Sequence, residues 1–308
     1  MADVTAALVK QLREQTGAGM MDCKAALIES AGDLENATDW LRKKGLAAAA
    51  KKASRLASEG LVGLEVDGRR GVVVEVNSET DFVARNQDFQ ALVGTIAGLA
   101  LESGGDLERL LQTTVPASGR SVADEITQSI AVIGENLHLR RVAAIEVGEG
   151  VVGTYVHGAL APGLGKIGVL VGLQSAGDPE QLGALGKQLA MHVAAAKPLA
   201  ISVDRLDARE LERERAIYAE QARASGKPAS IVDKIVDGRV RKFFEEVVLL
   251  EQAYVIDPDT KVKAAIERVA ESIGSTITVT GFERFALGEG LAAKTSNLAE
   301  EVAQLADT

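Results

Sequence analysis

Residues 59–68 read EGLVGLEVDG, and residues 149–158, ninety positions later, read EGVVGTYVHG. Both runs are rich in β-branched and other apolar residues and are punctuated by glycine, a pattern that favours a strand bounded by turns. A second apolar run follows each of them, GVVVEV at residues 71–76 and IGVLVGL at residues 167–173. A unit that returns in the same order indicates an internal duplication.

Each repeat continues into a helical pattern, at about residues 88–103 in the first repeat and residues 179–195 in the second. Residues 67–70 (DGRR) join the first two strands as a tight turn, which predicts an antiparallel hairpin. Antiparallel strands with helices to one side are typical of the α+β class. We therefore predict an α+β protein with a duplicated core of antiparallel sheets, rather than a doubly wound parallel sheet.

Three short helices are predicted within residues 1–44, ahead of the first repeat. Asp33 is the expected N-cap of the third helix, and Met21, Ala25 and Ile28 are expected to share the packing face of the second. This pattern predicts a small helical bundle, which a helical, basic connector joins to the first repeat.

A helical hairpin is predicted after the second repeat. Residues 204–224 and 230–248 each carry a thin apolar seam, and the turn sequence SGKP at residues 225–228 separates them. A late strand, Ser275–Phe282, is expected to complete the second sheet, and Leu298–Leu305 is expected to form a short terminal helix.

The predicted organisation therefore has four parts. They are a three-helix module with its connector (residues 1–54), a first core subdomain (55–143), a second core subdomain (144–284) interrupted by the helical hairpin (203–248), and a C-terminal module (285–308).

The composition excludes several classes of protein. The 308 residues include 34 basic and 44 acidic side chains, for a formal net charge of −10, and only 3% of the residues are aromatic. Such a chain lacks the positive charge and the stacking surface that nucleic-acid binding needs. A single cysteine, Cys23, excludes an internal disulfide and is expected to be a buried thiol, and three histidines provide no zinc-ligand pattern. No signal peptide or membrane span is visible, so we expect a cytoplasmic protein.

Two glycine patterns imitate nucleotide-binding motifs. Residues 148–153 and 163–168 both fit G-x-G-x-x-G, but strand residues follow them, whereas a dinucleotide site needs a helix N-terminus there. No G-x-x-x-x-G-K-[ST] loop is present. His138 and His192 are expected inside helices, at the edge of the core. A small-molecule enzyme that uses the turn near Gly163 is therefore a weak alternative.

The segment SETDFVARN at residues 78–86 places an aromatic side chain beside a carboxylate where the chain leaves the sheet. Two interpretations stay open on physical grounds. Either Asp81 caps the next helix and Phe82 packs on the core, or Phe82 is an exposed wedge of the kind that forms binding hot spots. His157, which ends a strand before a Gly/Pro-rich segment, is a weaker candidate.

Five runs, in order along the chain, carry a family resemblance. The segments LREQTGAGMMDCKAAL (residues 12–27), ETDFVA (79–84) and AMHVAA (190–195) resemble the signatures of bacterial elongation factor Ts, the family of guanine-nucleotide exchange factors for elongation factor Tu. SGKP with GRV (residues 225–240) and GFERF with GEG (residues 281–290) are similar to the family's hairpin region and end.

The resemblance implies a ubiquitin-associated-like fold for the N-terminal module, a coiled coil for the inserted hairpin and a protein that is not an enzyme. Such a protein binds elongation factor Tu, both GDP-bound and nucleotide-free, and distorts its Mg²⁺ and phosphate site so that GDP leaves and GTP rebinds. It needs no cofactor and no metal of its own, and it binds no nucleotide, nucleic acid or membrane directly.

The resemblance also assigns residues. The exchange wedge comprises Thr80, Asp81, Phe82, Val83 and His157, and further partner contacts are Leu12, Gly19, Met20 and Met21. Leu160–Gly165, the segment after His157, is longer than in many members of the family.

Two further hypotheses accompany this one. The N-terminal helical module is the candidate surface of an adaptor protein that binds some other partner. The sequence also leaves open whether the hairpin pairs with a second copy of the chain.

Overall fold

The computed structural model describes residues 4–225 and 228–291. Its elements, in chain order, are α1 (Ala6–Thr16), α2 (Met20–Glu29), α3 (Leu34–Lys52), β1 (Glu59–Asp67), β2 (Arg70–Ser78), α4 (Gln87–Ser103), α5 (Leu107–Gln112), α6 (Val122–Ile133), β3 (His138–Glu146), β4 (Gly150–His157), β5 (Leu164–Gly165), β6 (Ile167–Gln174), α7 (Pro179–Ala196), α8 (Ala208–Ala224), α9 (Ala229–Val247), β7 (Ala253–Tyr254), β8 (Asp257–Lys261), α10 (Val262–Ile273) and β9 (Thr278–Ala286). Antiparallel sheets combined with helices confirm the α+β class.

Three predicted features fall partly or wholly beyond this range. The expected terminal helix Leu298–Leu305, most of the C-terminal module 285–308, and Gly226 and Lys227 of the hairpin turn lie outside the described residues. Among the residues that are described, no helix combines the length and the apolar character that crossing a membrane would require.

The first repeat forms the predicted hairpin of β1 and β2, with Asp67 opposite Arg70 at the turn. β3 pairs antiparallel with the other edge of β2, and β5 pairs with β1, so the strand order is β3-β2-β1-β5. Helix α4 packs on one face and buries Phe89, Val93 and Ile96 against the strands. Apolar residues at helical spacing therefore form the core of this half of the molecule.

The second repeat reproduces this arrangement. β4, β6 and β9 form an antiparallel sheet in the order β4-β6-β9, and the late strand predicted from the sequence is its third member. Helix α7 packs on one face through Leu185, Leu189 and Val193. Each repeat thus supplies three antiparallel strands and a long helix on their outer face, and β5 of the second repeat adds a fourth strand to the first sheet.

The inner faces of the two sheets pack against each other in a nearly symmetrical way. Gly71 lies against Val152, and Gly168 lies against Val62; a Cβ atom on either glycine would come within 2.7 Å of the valine Cγ1. The register of the two hairpins places both valines, and both glycines, at equivalent positions of their repeats. The backbones can approach this closely only because the glycines carry no side chain, so the two repeats meet around a pseudo-twofold axis.

The strands cross the boundaries that the sequence suggested between the parts. The predicted boundary after residue 143 lies inside β3, and the boundary after residue 284 lies inside β9. β5, which comes from the second repeat, pairs with β1 in the first sheet, with Val62 opposite Gly165. The expectation that His138 lies in a helix is wrong, because this residue begins β3.

Helices α1, α2 and α3 form a small bundle around Leu12, Cys23 and Leu27, all fully buried. The burial of the Cys23 thiol agrees with the sequence-based expectation. Asp33 caps α3 as predicted, because its carboxylate accepts the N–H of Asn36 at 2.8 Å. The bundle is therefore held by a compact apolar core and a well-formed helix start.

The predicted packing face of α2 is wrong. The helix buries Cys23, Ala26 and Leu27, whereas Met21 and Ile28 are 74% and 57% exposed. Both faces of this helix carry apolar residues, so periodicity alone could not show which one packs inward. An apolar surface is consequently left on the outside of the bundle.

The bundle is fixed to the first core subdomain by α3. Residues 46–52, the first part of the predicted connector, form the end of this helix, which packs along α6 where Gly45 lies beside Ala131; the expected continuation of the helix to residue 58 is wrong. The side-chain amide of Gln128 donates to the carbonyl of Thr16 at 3.0 Å, which ties α6 to the end of α1. The N-terminal module is thus docked on the core.

Helices α8 and α9, which follow α7 and precede β9 in the chain, pack along each other. They bury Ala222, Val232, Val236 and Val240, four members of the predicted apolar seam. An ion pair between Arg215 and Asp237, 3.1 Å long, joins the exposed sides of the two helices.

A buried carboxylate ties the chain after β9 to the first sheet. Glu75, on β2, is fully buried and accepts hydrogen bonds from Arg140 at 3.0 Å, Arg141 at 2.6 Å and the Gly288 N–H at 2.9 Å. Burial alone would raise the pKa of Glu75, but the hydrogen bonds from Gly288, Arg141 and Asn77 and the charge of Arg141 lower it below its usual value. Glu75 is therefore ionised at neutral pH and links the two repeats.

Candidate functional site

The Phe82 loop, residues 79–86, connects β2 to α4 and exposes a large aromatic side chain. Phe82 is 80% exposed. The interpretation in which Asp81 caps the next helix is wrong, because the side chain of Asn86 accepts the N–H groups of Asp88 and Phe89 at 2.8 and 3.1 Å. Phe82 is therefore not packed onto the core, and the exposed-wedge interpretation agrees with its position.

The start of the loop is fixed by hydrogen bonds to the turn between α6 and β3. The carboxylate of Glu135 accepts the Thr80 N–H at 2.9 Å and the Thr80 hydroxyl at 2.6 Å. In the opposite direction, the carboxylate of Glu79 accepts the N–H of Asn136 at 2.7 Å. These bonds join two connections that lie 55 or more residues apart along the chain.

The end of the loop is fixed by burial. Val83 and Ala84 are buried in the core of the first repeat. A single 3-10 turn, closed by the Asn86 N–H on the Val83 carbonyl at 2.9 Å, leads into α4. Asp81 and Phe82 are thus the exposed pair between two anchored residues, Thr80 and Val83.

The second candidate, His157, ends β4 and is exposed. Its Nδ1 atom lies 3.2 Å from the hydroxyl of Tyr155, and its carbonyl accepts the Lys166 N–H at 2.9 Å. The Leu160–Gly165 segment that follows is folded back: the Leu64 N–H donates to the Gly163 carbonyl at 2.8 Å. The longer connection is therefore paired with the first sheet.

Phe82 and His157 belong to the same edge of the core. Glu59 at the start of β1 is opposite Ser78, the last residue of β2 before the Phe82 loop. The carboxylate of Glu59 forms an ion pair of 3.2 Å with Lys166, whose N–H bonds to His157. Both repeats thus contribute an exposed side chain to one surface.

The predicted contacts in the N-terminal module divide into two groups. Gly19 is exposed, and Met20 and Met21 are 60% and 74% exposed, so their positions allow contact with a partner. Leu12 is completely buried in the three-helix core. The expectation that the Leu12 side chain contacts a partner is therefore wrong: it supports the bundle from inside.

His192 lies in the middle of the AMHVAA run. Unlike Phe82 and His157, it is not exposed. It is fully buried, its Nδ1 atom accepts the Val255 N–H at 3.2 Å, and its Nε2 atom lies 2.9 Å from Oε1, the side-chain amide oxygen of Gln252. Nε2 therefore carries the proton and donates to Gln252. Burial lowers the pKa of His192 and outweighs the opposing effect of Gln252, so the ring is neutral and structural.

The site contains no arrangement typical of catalysis. Within residues 4–225 and 228–291, no group of three or more His, Cys, Asp or Glu side chains could hold a metal ion. The glycine patterns at residues 148–153 and 163–168 lead into β4 and β6, not into helices. What this edge can do is present a pre-positioned aromatic side chain and an imidazole to another macromolecule.

Sequence reasoning missed one residue of the site, Glu135. It follows Gly134, where α6 ends, and nothing in its local pattern distinguishes it from a solvated turn residue. Its partner, Thr80, lies 55 residues away along the chain, so only the folded arrangement reveals the contact.

Comparisons with known proteins identify the family of this chain. A family model described as Elongation factor TS matches residues 79–289. The chain is 59% identical to Elongation factor Ts of Rhodospirillum rubrum over 304 residues, covering 98% of both chains. It is 56% identical to the same-named proteins of Rhodospirillum centenum and Paramagnetospirillum magneticum, over 99% and 100% of this chain and 100% and 99% of theirs. Similarity of this extent shows that the chain belongs to the elongation factor Ts family.

Proposed function

We propose that this chain is a guanine-nucleotide exchange factor that binds elongation factor Tu in its GDP-bound form and accelerates the release of GDP. The observation that carries the proposal is the Phe82 loop, in which an 80% exposed aromatic side chain stands between two anchored residues. Thr80, Asp81, Phe82 and Val83 form the wedge, and His157 adds a second contact from the other repeat. The partner's Mg²⁺ and phosphate contacts are distorted when this surface binds.

An exposed phenylalanine that is already held in place is well suited to this role. Burying a phenylalanine side chain stabilises a complex by roughly 1.5–3 kcal/mol, a factor of about ten or more in an equilibrium constant. The loop is ordered before binding, so little of this gain is lost to fixing its conformation. Phe82 therefore has the properties of a hot-spot residue.

The mechanism requires no chemistry on this chain, because it works by linkage. If the chain binds more tightly to a partner whose GDP site is distorted, GDP affinity falls by the ratio of the two affinities. By reciprocity, nucleotide binding weakens the chain's own attachment by the same factor, so GTP rebinding releases it. No bound cofactor or catalytic side chain is needed for such a cycle.

The remaining parts of the chain fit roles around this wedge. The three-helix bundle, as a ubiquitin-associated-like module, contacts the partner through Gly19, Met20 and Met21. The α8–α9 hairpin is a coiled-coil insertion, and residues 285–308 form a C-terminal module that adds contact area. We place this activity in the cytoplasm, where the partner GTPase works.

The proposal is tested by the release of labelled GDP from purified elongation factor Tu. Phe82→Ala is expected to slow stimulated release about tenfold or more, because the side chain that fills the partner's pocket is lost. Its thermal stability should match that of the unsubstituted protein, because Phe82 is largely exposed.

Val66→Ala is the control, since Val66 is a part-exposed apolar residue near the opposite end of β1. It should leave the release rate unchanged. Equal release rates for Phe82→Ala and the unsubstituted protein would refute the wedge assignment. Failure of the unsubstituted chain to accelerate GDP release would refute the function itself.

A further inference from the structure

The position of Phe82 depends on a side chain outside its own loop. Thr80, two residues before Phe82, makes both of its donor contacts with Glu135: the backbone N–H bonds to Oε2 at 2.9 Å and the hydroxyl bonds to Oε1 at 2.6 Å. One carboxylate therefore fixes a backbone group and a side chain of the same residue. A contact of this type restricts both the position and the rotation of Thr80, because its two acceptor oxygens belong to one planar carboxylate.

Glu135 is itself held in a defined place. It lies between Gly134, where α6 ends, and Asn136, which is buried and whose backbone N–H bonds to Glu79 at 2.7 Å. The side chain of Asn136 also donates to the carbonyl of Arg55 at 2.8 Å. The turn that carries Glu135 is thus tied to the loop and to the segment before β1.

The other bonds at the loop act on carbonyl groups: the buried Ser78 hydroxyl donates to the Thr80 carbonyl at 2.9 Å, and the Arg85 N–H donates to the Phe82 carbonyl at 3.1 Å. Asp81 and Phe82 are exposed, and the next anchored residue is Val83, which is buried. If the Glu135 contacts were absent, Thr80 would keep only the bond to its carbonyl, and neither its N–H nor its hydroxyl would be fixed to the turn after α6. The conformational freedom of residues 80–82 would rise. The free-energy cost of ordering them again on binding would leave less binding free energy to distort the partner's nucleotide site.

We infer that Glu135 is a positioning residue for exchange, which fixes the direction of Phe82 by holding Thr80 at the base of the loop. The inference rests on the proposed function of the Phe82 wedge and adds a residue that the wedge assignment does not contain. Glu135 acts through Thr80 and is not required to touch the partner. Its effect should therefore fall on the exchange step and not on the first encounter with the partner.

The experiment measures GDP release from elongation factor Tu at increasing concentrations of this chain, which separates the maximal rate from the concentration at half-maximal rate. Glu135→Ala is expected to lower the maximal rate about three- to tenfold, less than the full effect of two charge-assisted hydrogen bonds, because the Ser78 hydroxyl still holds the Thr80 carbonyl. The half-maximal concentration should change less than about twofold, because the N-terminal module's contacts are intact. Glu102→Ala, an exposed acidic residue on α4, is the matched control and should behave as the unsubstituted protein.

Three variants separate positioning from a general loss of structure. Thr80→Val loses the hydroxyl donor and should be slow, and Glu135→Gln, which keeps one acceptor oxygen, should give a rate between those of Glu135→Ala and the unsubstituted protein. Glu135→Ala in a Phe82→Ala background should add less than about a twofold effect, because the two residues act through one side chain.

The positioning role is overturned if Glu135→Ala leaves the maximal rate unchanged while Phe82→Ala lowers it. It is also overturned if the effects of the two substitutions multiply independently, or if Glu135→Ala lowers the melting temperature and raises the half-maximal concentration instead. If Phe82→Ala itself has no effect, the proposed function of the wedge fails, and the positioning role fails with it.

Discussion

The two repeats share one scaffold but extend different connections. In the first repeat the β1–β2 turn is tight, and the long connection is the Phe82 loop between β2 and α4. In the second repeat the β6–α7 connection is short, and the long connection, residues 158–166 after His157, lies between β4 and β6. The duplicated core is thus nearly symmetrical, whereas the loops that reach its exposed edge are not. A partner that binds at this edge would therefore contact two different loops on one duplicated core.

The repeats also differ at a bulge that both contain. The pairing shifts between Glu75 and Val76 in the first repeat and between Gly172 and Leu173 in the second. A Cβ atom on Gly172 would come within 2.8 Å of Ile145, so this position must stay small, whereas Glu75 meets a pair of arginines. The bulge of the second repeat therefore packs closely against the first sheet, whereas Glu75 at the bulge of the first repeat pairs with two arginines of its own sheet and accepts the Gly288 N–H after β9.

The largest expected effect on stability comes from replacing Glu75, the charged residue at the bulge of the first repeat. Glu75→Ala should lower the free energy of unfolding by about 3 kcal/mol, because Arg140 and Arg141 lose their buried partner while retaining partial access to water. Since the folded protein lowers the pKa of Glu75, this stabilisation is present above about pH 4.5 and is lost as the pH falls through the lowered pKa.

Urea denaturation at pH 7 measures the change. Glu146→Ala, an exposed acidic residue at the end of β3, is the control and should change the free energy by less than about 0.5 kcal/mol. A loss below about 1 kcal/mol for Glu75→Ala would show that the charged cluster does not join the two halves.

The next effect compares one equivalent glycine from each repeat. A Cβ atom on Gly153 would lie 2.3 Å from the backbone of Gly186 on α7, whereas on Gly63 it would lie 2.9 Å from a side-chain methyl group of Val93 on α4. Gly153→Ala should therefore destabilise the protein by about 2–3 kcal/mol and Gly63→Ala by about 1 kcal/mol. Denaturant midpoints at equal slope measure both, and a reversed order would contradict the closer approach of α7 to its sheet.

The smallest effect is a pH dependence caused by His192 on α7, which has no counterpart on α4 because that helix contains no histidine. The folded state lowers the pKa of His192, so below about pH 6.5 the unfolded chain binds a proton that the folded chain excludes. Stability should rise with pH between the lowered pKa and about 6.5, by at most about 1.4 kcal/mol per pH unit, and then level off.

His192→Gln should remove this slope, while His138→Gln, at the exposed start of β3, should keep it. Melting temperatures recorded between pH 5 and pH 7.5 would test the prediction. Identical slopes for the protein and for His192→Gln would show that another group causes the dependence.

Much of the fold follows from local patterns, and the misses have a physical cause. The two hairpins and their helices were predicted from apolar periodicity, and the Asp33 cap from side-chain chemistry. β3 was missed because Arg140 and Arg141 interrupt its apolar pattern, and these arginines are half-buried only because Glu75 faces them. The packing face of α2 was missed because Met21 and Ile28 are as apolar as the residues that pack inward.

The site divides in the same way. The exposed aromatic at Phe82 was one of two open interpretations of the residues themselves, and the family resemblance favoured it. Leu12 was assigned to a surface contact but is part of a core, since a conspicuous motif includes residues that hold it together as well as residues that bind. Glu135 has no local signal.

The amino-acid sequence by itself determined the duplication, the helix caps, the strand hairpins and the family, because these depend on residue order over short spans. The tertiary structure alone decided how the repeats meet around Gly71 and Gly168, and which face of α2 is exposed. It also decided that a carboxylate 55 residues downstream fixes the Phe82 loop. Such contacts join residues far apart in the chain, and their geometry exists only once the backbone around them has folded.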